Sequence, residues 1–302
     1  MSEIDLSPIT RLSQDLKKAT ETLSPQEARY LVDAYYTIQD YRKAAANQVR
    51  ALNESQEPHD VLNWYFEQAE VLESQVKRAL GAWSDSRLLG KWCQSIIGIG
   101  PVISAGLIAH IDITKAPTVG HIWSFAGLDP RSEWKKGEKR PWNGALKTLC
   151  WKVGESFVKV SGNAKSLYGQ LYVKRKEYEV EQNLTGKLCD QAKAKLEKYK
   201  IGKTTDAYLW YAGCLSLEAA QEIRSLGTDA TPAKLKALAG EPGSGLRMLP
   251  PAHLHARAKR WAVKLFLSHY HAEAYYQHYG AKPPNPYPIE HMGHVHWIAP
   301  EK

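Results

Sequence analysis

SDSRLLGKWCQSIIGIGPVISAGLIAH, residues 84–110, is the most informative stretch of this chain. A short amphipathic helix runs into Gly98-Ile99-Gly100-Pro101, and an apolar helix follows with Val102, Ile103, Ala105, Leu107 and Ile108. Glycine permits backbone conformations and close approaches that other residues resist. The turn then presents free backbone N–H groups at the start of the second helix, where the positive helix end suits a phosphate. Helix, tight Gly-x-Gly turn, helix is the pattern of a helix-hairpin-helix, which reads backbone rather than base sequence. Its expected phosphate contacts are Gly98, Ile99, Gly100 and Val102. A structural turn between two core helices is the competing reading.

A second segment, TVGHIWSFAGLDPRSEWKKGEKRPWNGALKTLCWKVGESFVKV, spans residues 118–160. A short helix ends at Ala126-Gly127, and Asp129–Asn143 reads as a polar loop punctuated by glycine and proline. The loop carries Arg131, Lys135, Lys136, Lys139 and Arg140, interleaved with Trp134 and Trp142. Asn143-Gly144 then opens a helix bearing Lys147, Lys152 and Lys159. Cations neutralise phosphates and exposed indoles stack on bases, which makes these loop residues, with Asn143 and Lys147, candidate nucleic-acid contacts. A solvated loop whose tryptophans anchor it to a core fits the same residues.

Upstream, Ser24-Pro25 opens a long helix over 26–52, with Tyr30, Leu31, Ala34, Tyr35, Ile38, Tyr41, Ala45 and Val49 at three- and four-residue steps. The polar break at 53–58 leads to a second helix with Leu62, Tyr65, Ala69, Leu72, Val76 and Ala79 on one face. Two such helices form a hairpin whose long apolar seam could pair two copies of the chain. Downstream, Asn183–Gly186 breaks a basic helical stretch, and Thr205, Ser216 and Thr231 are candidate caps of short helices. Pro250-Pro251 starts a helix through about Tyr279, on which His253, Arg257, Arg260, Lys264 and His271 fall near one face as a second phosphate-binding stripe. Eight of the eleven histidines lie in the last fifty residues, ending with His291, His294 and His296. Of a metal site there and histidines that pack the tail, packing fits better because no carboxylate lies at a metal spacing. No cofactor or metal is expected.

Composition sets the frame. The chain has 302 residues, 43% hydrophobic and 24% charged, and a mean hydropathy of −0.45. No run of about 18 apolar residues exists, so no membrane contact is expected. Four cysteines without CxxC spacing argue against a zinc ribbon or disulfide scaffold and for a reducing, cytoplasmic setting. The net charge of +8 is concentrated: residues 131–203 hold 18 Lys/Arg against 8 Asp/Glu, or +10, whereas residues 1–90 hold 10 against 14, or −4. A basic block inside a balanced chain points to a polyanionic partner, DNA first and structured RNA second.

GIGPVISAGLIAHI (98–111), FAGLDP (125–130), the glycine- and lysine-rich loop and LKTL (146–149), in that order, resemble the C-terminal domain of the Piv-type DNA invertases and their insertion-sequence transposase relatives. The resemblance covers about residues 92–160. It implies a helix-hairpin-helix that binds nucleic acid, and a nucleophilic serine in the loop after the AGLxP element, which here could only be Ser132. It also implies a RuvC-like domain with four metal-binding acids. Residues 1–90 read as helices throughout, so no acid of this chain can be given that role.

The expected fold is mainly α, divided as a helical hairpin (1–83), a helix-hairpin-helix transposase-like domain (84–162) and a helical C-terminal region (163–302). The expected function is nucleic-acid binding, most naturally to duplex DNA, by a transposase-derived protein. The alternatives are an active recombinase using Ser132 and a metal-dependent enzyme using the C-terminal histidines.

Overall fold

In the computed structural model, which describes residues 14–286 and residue 298, helices form all the regular structure among the described residues. The fold is mainly α, as the periodicity predicts. After α1 (Gln14–Glu21), Ser24 caps α2 (Pro25–Glu54). The Ser24 hydroxyl accepts from the Glu27 N–H at 3.3 Å, and the Glu27 carboxylate accepts from the Ser24 N–H at 2.7 Å. This reciprocal box, with proline in the first turn, fixes where the helix begins. There follow α3 (Asp60–Asp85), α4 (Leu88–Ser95), α5 (Pro101–His110), α6 (Val119–Phe125) and α7 (Gly144–Lys159). Beyond them come α8 (Leu167–Leu184), α9 (Cys189–Lys198), α10 (Asp206–Tyr211), α11 (Leu217–Leu226), α12 (Pro232–Ala237) and α13 (Pro251–Tyr279). None of these helices is long and apolar enough to cross a membrane.

The described residues up to Ser156 and from Lys264 onward form one compact unit, and Phe157–Val263 form another. Aromatic packing remote in sequence ties the later part of α13 into the first unit: Trp92 of α4 stacks on Phe266 of α13 at 6.2 Å and meets Tyr270 at 6.4 Å.

In the first unit, Ala28, Val32 and Tyr35 of α2 pack with Leu80 and Trp83 of α3 and Val102, Ala105 and Ala109 of α5. The Trp83 indole N–H donates to the Leu23 carbonyl at 2.8 Å. The buried stripe of α2 is offset from the one read in the sequence: Tyr30 and Tyr41 are exposed. Tyrosine carries both an apolar ring and a polar tip, so helical spacing alone does not assign it to a face. Helix α5, which follows the glycine turn, is seated on this core. The Ser84 and Ser104 hydroxyls lie 2.7 Å apart between α3 and α5.

In the second unit, Thr205, Ser216 and Thr231 cap α10, α11 and α12, each accepting a backbone N–H three residues on. Trp210, Leu215, Ala220, Ile223, Leu235 and Met248 form its core. The Asn183 amide closes a two-way link with Leu249, donating to its carbonyl at 3.0 Å and accepting its N–H at 2.9 Å.

Candidate nucleic-acid interface

The glycine turn connects α4 to α5. Gly98 has φ +104°, a conformation that side chains resist, whereas Gly100 has φ −91° and ψ 175°, which any residue adopts. The two glycines therefore have different jobs. Gly98 makes the turn possible, and the Ser156 hydroxyl of α7 donates to its carbonyl. Gly100 is the N-cap of α5, with no side-chain cap, and a Cβ added there would meet nothing within 4 Å. Ser104 N–H is bonded to the Gly100 carbonyl at 2.9 Å, so the donors of Val102 and Ile103 fall in the first turn, ahead of the helix ladder. Ile99 and Val102 are buried and hold the turn to the core. An exposed glycine, open space and first-turn donors make a surface onto which an anion could close.

The loop between α6 and α7 has its own internal order. The Asp129 carboxylate accepts from the Arg131 backbone N–H at 3.0 Å and from its guanidinium at 3.1 and 2.9 Å. These bonds pull the Asp129 carboxyl down to about 2. The Trp134 indole N–H donates to the Glu138 carbonyl at 2.6 Å, and the Arg140 guanidinium lies 5.2 Å from that ring. Trp142 packs against Gly127, whose φ of +65° and the 2.8 Å from a hypothetical Cβ to Trp142 Cγ both require glycine. The Lys147 ammonium sits 3.9 Å above the Trp142 ring. Asn143 accepts the Leu146 N–H at 2.8 Å and so caps α7.

Several candidates thus carry structural duties. Lys135, Lys136 and Lys139 are exposed and have no ion-pair partner among the described residues. Trp151, 57% exposed one turn along α7 from Lys147, is a stacking surface that the sequence pattern does not single out. The only signal is its four-residue spacing from Lys147.

The stripe expected on α13 is divided. Arg257 donates to Glu179 at 2.8 Å and to Gln191 at 2.5 Å within the second unit. Arg260 and His253, also in that unit, line a cleft with Lys195 and Tyr199. In the first unit, Lys264 lies 4.1 Å above the Trp123 ring, and His271 is buried with its Nε2 2.8 Å from the Ala116 carbonyl. Helical spacing places these five residues together, but their partners are set by elements far away in sequence.

Ser132 is half-buried, and among the described residues its hydroxyl has no hydrogen-bond partner. A hydroxyl needs a base or a metal to act as nucleophile. No group of three or more His, Cys, Asp and Glu among the described residues is placed to hold a metal. Glu73, a buried carboxylate of the hairpin, is engaged by Arg42 and Gln39. Among the described residues the acids do not gather into the metal set of a RuvC-like site. His291, His294 and His296 lie outside the described residues.

Residues 91–140 match the family model described as Transposase IS116/IS110/IS902 family. The match runs from α4 through the glycine turn to Arg140 in the basic loop. No curated protein and no solved structure matches the chain.

Proposed function

We propose that the protein binds nucleic acid, duplex DNA in the first place, by phosphate contacts at the Gly98–Val102 turn and the Lys135–Arg140 loop. The observation that carries this reading is that one transposase-family match spans both features. The uncapped start of α5 supports the turn, and the unpaired Lys135, Lys136 and Lys139 support the loop. The Piv-type affiliation fits the same stretch. Strand transfer is left out of the proposal, because Ser132 lacks an activating partner. Such contacts read backbone and give little sequence preference.

Salt titrations with duplex DNA, single-stranded DNA and structured RNA test the proposal. Replacing Lys135, Lys136, Lys139 and Arg140 together by Gln should weaken duplex binding across unrelated sequences. The dependence on log salt should flatten by roughly one for each phosphate that the variant no longer neutralises. Unchanged affinity in this variant refutes the loop's role. Tighter binding to structured RNA would replace duplex DNA as the partner, and strand cleavage abolished by Ser132→Ala would restore the enzymatic reading.

The α2–α3 hairpin is the surface we propose for pairing two copies. Val61, Trp64, Tyr65 and Leu72 are all exposed at helical spacing on α3. Light scattering should give twice the chain mass, falling to the monomer in Trp64→Glu/Leu72→Glu; a monomeric parent protein sinks this idea.

A further inference from the structure

We propose that the cleft between α9, α10 and α13 in the Phe157–Val263 unit binds a nucleotide unit, its phosphate held by Lys195, Arg260 and His253 and its base stacked on Tyr199. The cleft stands on its own lining and does not depend on the glycine turn. Its volume is about 420 Å³. That lies within the range of about 300–1,000 Å³ usual for small-ligand sites. Among its described lining residues are two cations, a histidine and two tyrosines, with no acid; the remainder are small or aliphatic.

This chemistry is specific. Lys195 lies 4.9 Å from the centre of the Tyr199 ring, so a positive charge and an aromatic face share one wall. Tyr199 is 50% exposed, which leaves ring surface for a base. Arg260 is exposed at the opposite element, on α13. Its neighbour Arg257 is committed to Glu179 and Gln191, so Arg260 is the arginine left to the cleft. His253 Nδ1 lies 2.9 Å from the Tyr211 hydroxyl. With that hydroxyl donating to Nδ1, the ring proton sits on Nε2, a donor for a phosphate oxygen. An anion between two cations and a histidine, beside an exposed ring, is the arrangement by which strands are held without sequence preference.

The histidine offers an internal reporter. Burial first, then Arg257, Arg260 and Lys195, push His253 down to about 4, with Glu179 opposing them. The groups facing it are Glu179 from α8, Lys195 from α9, Tyr211 from α10, and Arg257 and Arg260 from α13. A phosphate bound among these cations would raise the histidine, so binding near pH 5 should take up more protons in the parent chain than in His253→Gln, the proton released by the phosphate itself (second pKa about 6) being common to both.

Isothermal titration of the full chain with adenosine monophosphate and with inorganic phosphate tests the site. The nucleotide should bind more tightly than phosphate. Arg260→Gln and Lys195→Gln should each weaken it about tenfold or more, the size of a lost charge-assisted hydrogen bond. Tyr199→Leu should weaken the nucleotide about fivefold or more and leave phosphate unchanged, as expected for lost stacking. The proton balance near pH 5 should shift towards release in His253→Gln, the difference from the parent chain being the histidine's share. The Lys135, Lys136, Lys139 and Arg140 variant should bind the nucleotide normally, which separates failure of this site from failure of the duplex-binding surface. Binding of neither ligand, or equal binding in folded Arg260→Gln, overturns the proposal. Equal affinity for nucleotide and phosphate overturns the base-stacking part.

Discussion

At the scale of single residues, the glycine turn separates folding from binding. Gly98 sits at φ +104°, so Gly98→Ala should cost about 1–3 kcal/mol from backbone strain and lower the melting temperature. Gly100 has the extended dihedrals of an N-cap and open space at its Cβ. Gly100→Ser should therefore fold normally and keep or raise the melting temperature, because serine is a good cap. Yet its hydroxyl would accept the N–H groups proposed to meet a phosphate, and its bulk would stand in the approach. Lower DNA affinity at equal or higher stability is the expected outcome. Unchanged affinity would mean that the turn only joins two helices. The adjacent loop carries a pH signature of its own. The folded Asp129 carboxyl, at about 2, lies below its ordinary 3.8. Its contribution is full above about pH 4 and is lost as pH falls towards 2. Arg131 is 87% exposed, so solvent screening limits that contribution to about 1 kcal/mol at most.

At the scale of elements, the clearest prediction concerns α8 and α13. Glu179 is 2% exposed and accepts from Arg175 at 2.9 and 2.6 Å and from Arg257 at 2.8 Å. Removing a buried carboxylate strands two half-buried guanidiniums. Glu179→Ala should then cost about 3 kcal/mol in urea unfolding, the lower end for a broken buried pair. Arg257→Ala should lose stability with little change in DNA affinity, the reverse of what a phosphate ligand would do. This pairing also marks the limit of what the sequence discloses. Caps at Ser24, Thr205, Ser216 and Thr231 are local, each bonding three residues on, and are legible in the sequence. So are the break at Asn183–Gly186 and the start of α13, because proline, glycine and asparagine act on their own neighbourhood. Arg257 looks like a free cation in the sequence because its acceptor lies 78 residues away. The bond from Ser156 to the Gly98 carbonyl is hidden for the same reason, at a separation of 58. Lys195 lies in a stretch legible as basic and helical, but nothing in the sequence marks it and Tyr199 as the wall of a cleft with Arg260.

At the scale of the whole molecule, the basic block of residues 131–203 is shared between the units. Residues 131–156 carry 7 Lys/Arg against 3 Asp/Glu, or +4, and residues 157–203 carry 11 against 5, or +6. Both units therefore carry part of the basic block, and both also hold histidines whose burial favours the neutral form. His110, His269 and His271 in the first unit are all lowered, with burial the largest cause in each. His253 in the second unit is lowered to about 4. A histidine whose folded value lies below the unfolded value of about 6.5 takes up its proton more readily after unfolding. Its contribution to stability is full above about pH 6.5 and declines as pH falls below that value. The carboxylates shifted downward, Glu27, Glu73, Asp112, Asp129 and Glu218, lie below their ordinary values and act only at lower pH. The melting temperature should accordingly be flat between about pH 8 and 7 and fall between about pH 6.5 and 5, before any of these carboxylates is protonated. Replacing His271 by Gln should shrink that fall even if it lowers stability at neutral pH, since the substitute cannot take up a proton. A melting temperature that holds constant to about pH 5 would show that these histidines reach solvent in the folded chain, contrary to the packing of His269 and His271 at 2% exposure each.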